Sequence, residues 1–161
     1  MNKVIVVATD IEQKLAKQFF TLPVIKTGVG YGNIIEKLKD LNKDTKLINV
    51  GFAGSNYINV GSIIKVKNSY LYHPNVTYDE KVYNLNGEVD CYTSNDFVLK
   101  TDIKESVVFD MELYALCALG FDVTSYKIIS DNLSLTDYEK LENQKIDLTK
   151  CWKEVSKLIG D

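Results

Sequence analysis

Short apolar runs that stop on glycine or a small polar residue, each followed by a stretch of helical period, constrain this chain more than any other feature. Lys3–Ala8 (KVIVVA) is continuously apolar after its first residue, the pattern of a central strand buried on both faces. Thr9 or Asp10 can cap a helix over Ile11–Phe20, because a short oxygen-bearing side chain satisfies the free N–H groups of a first turn. Pro23 ends that helix, and Val24–Ile25 starts a second strand that runs into Thr27–Asn33 (TGVGYGN) ahead of an amphipathic helix over Asn33–Leu41. Lys46–Val50 predicts a third strand entering Gly51–Asn56 (GFAGSN), and Val60–Val66 a fourth. Val123–Ile129 predicts a last strand that ends on Ser130-Asp131-Asn132. Strands alternating with helices predict one α/β domain over residues 1–161, built around a largely parallel sheet. Ligands of such sheets bind outside the carboxyl ends of the strands, so Ala8, Gly28, Gly51 and Ser130 should converge on the site.

The intervening segments carry other signals. Asn86-Gly87 between Val82-Tyr83 and Val89–Cys91 predicts a β-hairpin, since both residues tolerate the positive φ of a tight turn. Asp137–Ile159 is helical in pattern and reads as two helices. The three glycines of GVGYG can cradle a ligand or simply make a tight turn, and they lack the GxGxxG spacing of a dinucleotide site.

Several function classes are excluded at this level. The formal charge of −3 argues against an electrostatic nucleic-acid binder. No apolar run reaches the roughly 18 residues of a membrane span. Met1–Val4 leads straight into the first strand, too short for a signal-peptide core, so a cytoplasmic protein is expected. Cys91, Cys117 and Cys151 are scattered and read as free thiols; the only histidine, His73, has no metal-ligand spacing around it. No metal and no cofactor is expected. All 19 basic residues are lysine, so a phosphate site would have to do without the bidentate guanidinium fork.

Candidate residues stand at the ends of the apolar elements. Glu112 follows the run Val107–Met111, at the head of an apolar helix, and Asp131 ends the last strand. Glu12 falls in the first turn of the first helix, where a carboxylate complements the helix dipole. Phe97 can pack in the core or offer a stacking face.

Taken in order, these segments resemble the purine nucleoside phosphorylase and nucleosidase superfamily, and its methylthioadenosine/S-adenosylhomocysteine nucleosidase branch in particular. ATDIE (Ala8–Glu12) looks like the family's AMxxE, and TGVGYGN like SGIGKVN. NVGFAG (Asn49–Gly54) followed by VGSIIKV (Val60–Val66) looks like NTGSAG followed by VGDIVV. YHPNVT (Tyr72–Thr77) looks like YHDADVT with one residue deleted. TSNDFV (Thr93–Val98) resembles the base-binding segment, FDMELYA (Phe109–Ala115) resembles VEMEATA, and IISDN (Ile128–Asn132) resembles AISD.

The resemblance implies a three-layer αβα sandwich with a central mixed, largely parallel sheet, and a homodimer acting on a small purine nucleoside. It implies that Asp131 protonates the departing base, that Ser130 orients Asp131, and that Glu12 activates water. It further implies that Glu112 accepts hydrogen bonds from the ribose hydroxyls, that Met111 packs on the sugar, and that Phe97 and Val98 hold the purine. Gly28 and Phe52 complete the implied binding set, Phe52 standing where the family has serine. Tyr78 is the implied aromatic lent to a partner subunit. Cleavage of an N-glycosidic bond needs these parts, because the base leaves with charge and the sugar passes through an oxocarbenium-like state. The chain lacks strands the family carries before Leu22-Pro23-Val24, and a longer segment between Thr77 and Thr93. Hydrolysis of an adenosine-type nucleoside is the expectation; a phosphorylase, or a nucleoside-binding module without turnover, is the alternative.

Overall fold

The computed structural model describes residues 2–73, 81–142 and 147–161. Tyr78 and most of YHPNVT lie outside them. The elements run β1 (Lys3–Val7), α1 (Asp10–Phe19), β2 (Val24–Lys26), α2 (Tyr31–Leu38), β3 (Lys46–Ser55), β4 (Ile63–Leu71), β5 (Tyr83–Asn84), β6 (Val89–Thr93), β7 (Val108–Asp110), α3 (Leu113–Ala118), β8 (Asp122–Asp131), α4 (Leu135–Glu142) and α5 (Thr149–Leu158).

β2, β1, β3 and β8 run parallel to one another, so their carboxyl ends share one edge. β3 and β8 are the longest described strands, with eight and seven of their ten residues buried. Alternate residues of β1 feed different cores. Val4 and Val6 pack with Ile34 and Leu38 of α2 and Leu113 and Leu116 of α3. Ile5 and Val7 pack with Ala16 of α1 and with Trp152 and Val155 of α5. Trp152 is fully buried and meets Phe20 and Phe52 edge-on, at centroid distances of 6.2 and 5.6 Å. Each such aliphatic residue removed from water contributes about 1.5–3 kcal/mol before chain entropy is counted.

The chain is therefore α/β with helices on both faces of a mixed sheet, but a flat layered picture leaves out one feature. β3 pairs with β7 and β8, β7 with β6, β6 with β4, and β4 with β8. These five strands close into a ring, with β1 and β2 added outside β3.

The predicted hairpin at Asn86-Gly87 is not formed. β5 pairs antiparallel with β4 and β6 pairs parallel with β4, so the two flank the same strand rather than each other. Asn86 does take the positive φ of a tight turn, 60°. Gly87 then lies against the backbone of β4, where a Cβ would stand 2.1 Å from the Val66 carbonyl oxygen. The dipeptide turns the chain across β4 at a point only glycine can occupy.

Candidate active site

Toward the carboxyl ends of the parallel strands the chain gathers five buried charged groups. Glu12, Asp110, Glu112, Asp131 and Lys127 are 3, 6, 5, 1 and 0% exposed.

Glu12 is fixed by α1. Thr9 is the N-cap, its hydroxyl accepts from the Glu12 N–H at 3.3 Å, and Glu12 Oε1 accepts from the Thr9 N–H at 3.1 Å, a complete capping box. The structural reading of Glu12 is thus correct as far as it goes. The carboxylate does more, because Oε1 also accepts from the Ala8 N–H at 2.9 Å and Oε2 from the Phe52 N–H at 2.8 Å. Three N–H donors use three of the roughly four acceptor positions of a carboxylate, which leaves one directed away from the backbone.

Glu112 precedes α3. Its Oε1 accepts from Lys127 Nζ at 2.9 Å and its Oε2 from the Met111 N–H at 3.2 Å. Lys127 Nζ also stands 2.9 Å from Asp110 Oδ2. Asp110 in turn accepts from the Thr93 hydroxyl at 2.5 Å and from the Leu113 N–H at 2.9 Å. One ammonium thus serves two buried carboxylates, with Glu12 close by. Burial pushes the Glu112 carboxyl up to about 7, and the Asp110 and Glu12 charges add to this against the opposing pull of Lys127. Burial works against the Lys127 charge, but Asp110 and Glu112 outweigh it and hold the ammonium above the ordinary lysine range.

Asp131 ends β8. The β3–β8 register shifts between Ala53 and Gly54, so that Asp131 rather than Ser130 lies opposite Gly54. Irregularities of this kind re-aim a side chain at the rim of a sheet. Asp131 Oδ1 accepts from the Ser130 hydroxyl at 2.9 Å and Oδ2 from the Leu133 N–H at 3.0 Å. Burial raises its carboxyl, and the two hydrogen bonds only partly offset that.

Two glycines of β3 make room for these groups. A Cβ on Gly51 would stand 2.9 Å from Glu12 Oε2 and 3.4 Å from Glu112 Oε1; one on Gly54 would stand 2.7 Å from Asp131 Oδ2. Glu12 and Glu112 therefore meet over Gly51, and Asp131 stands over Gly54 on the same strand.

Phe97, Val98, Met111, Asp131 and Gly54 line a small pocket of about 30 Å³, walled on its remaining sides by Leu133, Phe109, Asp96 and Asp110. Through Phe97 and Val98 it adjoins a groove of about 930 Å³ lined by Tyr72, His73 and residues 94–103. Phe52 contributes its N–H to Glu12 while its ring packs on Trp152. Gly28 takes φ +80° after β2, and its nearest neighbour is the Asn33 side chain rather than any of the carboxylates. Among the described residues no group of three or more His, Cys, Asp and Glu is arranged to hold a metal ion, and no helix is long and apolar enough to cross a membrane.

Asp110, Lys127, Gly54 and Leu133 belong to the site and were not singled out in the sequence. Lys127 carried a usable signal: a charge inside an otherwise buried strand, four residues before a strand-end aspartate, must have a buried carboxylate partner.

Comparison with known proteins points to one fold. No family model matches the sequence, and neither does any characterised protein. Among solved structures, the MTAN of Chlamydia trachomatis superposes with a TM-score of 0.78 at 17% identity, over 96% of this chain and 95% of that one. The 5'-methylthioadenosine nucleosidase of Arabidopsis thaliana gives 0.71 at 16% identity, over 99% and 94%. The futalosine hydrolase of Helicobacter pylori gives 0.71 at 13% identity, over 99% and 96%. The chain has the fold of these nucleosidases over nearly its whole length.

Proposed function

We propose that this protein hydrolyses the N-glycosidic bond of a purine nucleoside of the adenosine type, releasing the free base. The observation that carries the proposal is the division of labour along β3: Glu12 and Glu112 meet at Gly51, and Asp131 stands at Gly54. Negative charge at the first place suits a ribosyl cation and an incoming water. A carboxyl raised by burial at the second place suits proton donation to a leaving base. Solved relatives of this fold include a Chlamydia trachomatis MTAN bound to adenine and another bound to MTA, which supports an adenine-type base.

In this reading Asp131 protonates the purine at N7 while Ser130 holds its other oxygen. Glu12 uses its remaining acceptor position to orient and deprotonate water. Glu112 receives the ribose hydroxyls, Met111 packs on the sugar, and Phe97 and Val98 bracket the base. A three-layer αβα description of the β2-β1-β3-β8 part of the sheet belongs to the same proposal. So do a homodimer and a cytoplasmic setting.

Water rather than phosphate is the nucleophile because the chain contains no arginine among its 19 basic residues, and Glu12 holds the position that activates water. Chromatography of purified protein with adenosine or 5'-methylthioadenosine in phosphate-free buffer tests this. Free base and free ribosyl sugar are expected. Base release that appears only with added phosphate, together with ribose 1-phosphate or its 5'-substituted counterpart, contradicts it.

A further inference from the structure

Leu133 is the one described residue, apart from Asn86 and five glycines, whose φ is positive, at 61°. Asparagine and glycine take that conformation readily, whereas a bulky leucine there is a strained outlier. Such strain persists only where the surroundings enforce it, and it clusters at functional sites. Two contacts enforce it here. The Leu133 N–H donates to Asp131 Oδ2 at 3.0 Å, and its Cδ2 lies 3.1 Å from where a Gly54 Cβ would be, against Asp131. The side chain is also a wall of the pocket shared by Phe97, Val98, Met111 and Asp131.

We infer that Leu133 is the specificity-determining wall of the base pocket, limiting it to purines that carry no bulky group at the 6-position. This rests on the nucleosidase reading above. The pocket as it stands holds about 30 Å³, room for about two waters rather than a purine, so a ring is seated fully only when a wall side chain changes rotamer. Such side-chain changes are common on ligand binding. Leu133 is the wall residue tied to Asp131 itself. With Asp131 facing N7, the neighbouring 6-substituent of the purine points along the same edge and meets Leu133. A small amino group fits beside it; a benzylamino group collides.

The test is calorimetric binding of two free bases, adenine and 6-benzylaminopurine, to the wild type, Leu133→Ala and Leu133→Gly. Glycine adopts positive φ without cost, so Leu133→Gly guards against misfolding and should unfold at a higher temperature than Leu133→Ala. The wild type is expected to prefer adenine by about 100-fold or more, and both variants to reduce that preference at least about tenfold, the usual scale for steric discrimination in a pocket. A preference that stays within about threefold of the wild type in both variants overturns the inference, as does a wild type that binds both bases alike. Wild-type release of base from adenosine alongside an unchanged preference overturns this inference alone. A wild type that binds neither base and releases none overturns it together with the nucleosidase reading.

Discussion

Lys127 Nζ stands 2.9 Å from Glu112 Oε1, with both groups closed off from solvent. The same ammonium is 2.9 Å from Asp110 Oδ2, so one cation is shared between two carboxylates and Glu12 adds a third negative group nearby. Burying these charges is costly and is offset only while every partner is present. The surplus negative charge lies at Gly51, where the proposed sugar cation forms.

Removing the cation should therefore destabilise the fold. Lys127→Met leaves Asp110 and Glu112 buried without a counter-charge, and a loss of about 3–5 kcal/mol is expected at neutral pH. Urea unfolding measures it. The double variant Lys127→Met/Glu112→Gln should recover part of the loss, since the two positions are coupled. Strictly additive losses would contradict the pairing.

Glu112 makes stability depend on pH. Its carboxyl is raised from 4.5 to about 7 by burial, so the folded state holds a proton that the unfolded chain has already released. That contribution is complete below about pH 4.5 and is lost as pH rises to about 7. Urea midpoints of wild type and Glu112→Gln, followed across this range, should show the wild type falling relative to the variant. Binding of a ribosyl ligand should strengthen over the same range, as Glu112 ionises and accepts from the hydroxyls.

Glu12 has a structural part and a proposed chemical one, and two variants separate them. Thr9→Ala removes the cap but keeps the N–H that Glu12 accepts, so it should cost about 1 kcal/mol of stability and change base release less than tenfold. Glu12→Gln should lower base release by about 10²–10⁴. Equal effects of the two on turnover would assign Glu12 to capping alone.

Gly51→Ala places a Cβ 2.9 Å from Glu12 Oε2, and the carboxylate has to shift. A displacement near 1 Å costs on the order of 100-fold in rate, so kcat should fall about that far while the thermal midpoint changes little. Unchanged kcat would show that Glu12 does not need its observed position.

Much of this fold was legible in the sequence because its strands are buried on both faces. Runs such as KVIVVA have no alternation to mislead, and their ends mark the site. The hairpin expectation failed because Asn86-Gly87 specifies a turn and not which strands flank it; Gly87 packs on Val66 of β4 instead. Ring closure through β4 and β8 is a long-range pairing that no local pattern records. Within the site, Glu12, Glu112 and Asp131 stood at element ends and drew attention. Lys127 sits inside β8, Asp110 ends the three-residue β7 just ahead of Glu112, and Leu133 enters through its backbone angle, which its residue type argues against.

The most direct test compares wild type and Asp131→Asn for release of base from 5'-methylthioadenosine, with binding of the nucleoside measured in parallel. Asp131 sits over Gly54 with its carboxyl raised by burial and held by Ser130 and Leu133. Asparagine keeps the shape and loses the proton. Base release by the wild type, lost by at least about 100-fold in Asp131→Asn with binding retained, is the predicted result. Equal turnover in the two proteins would contradict the account.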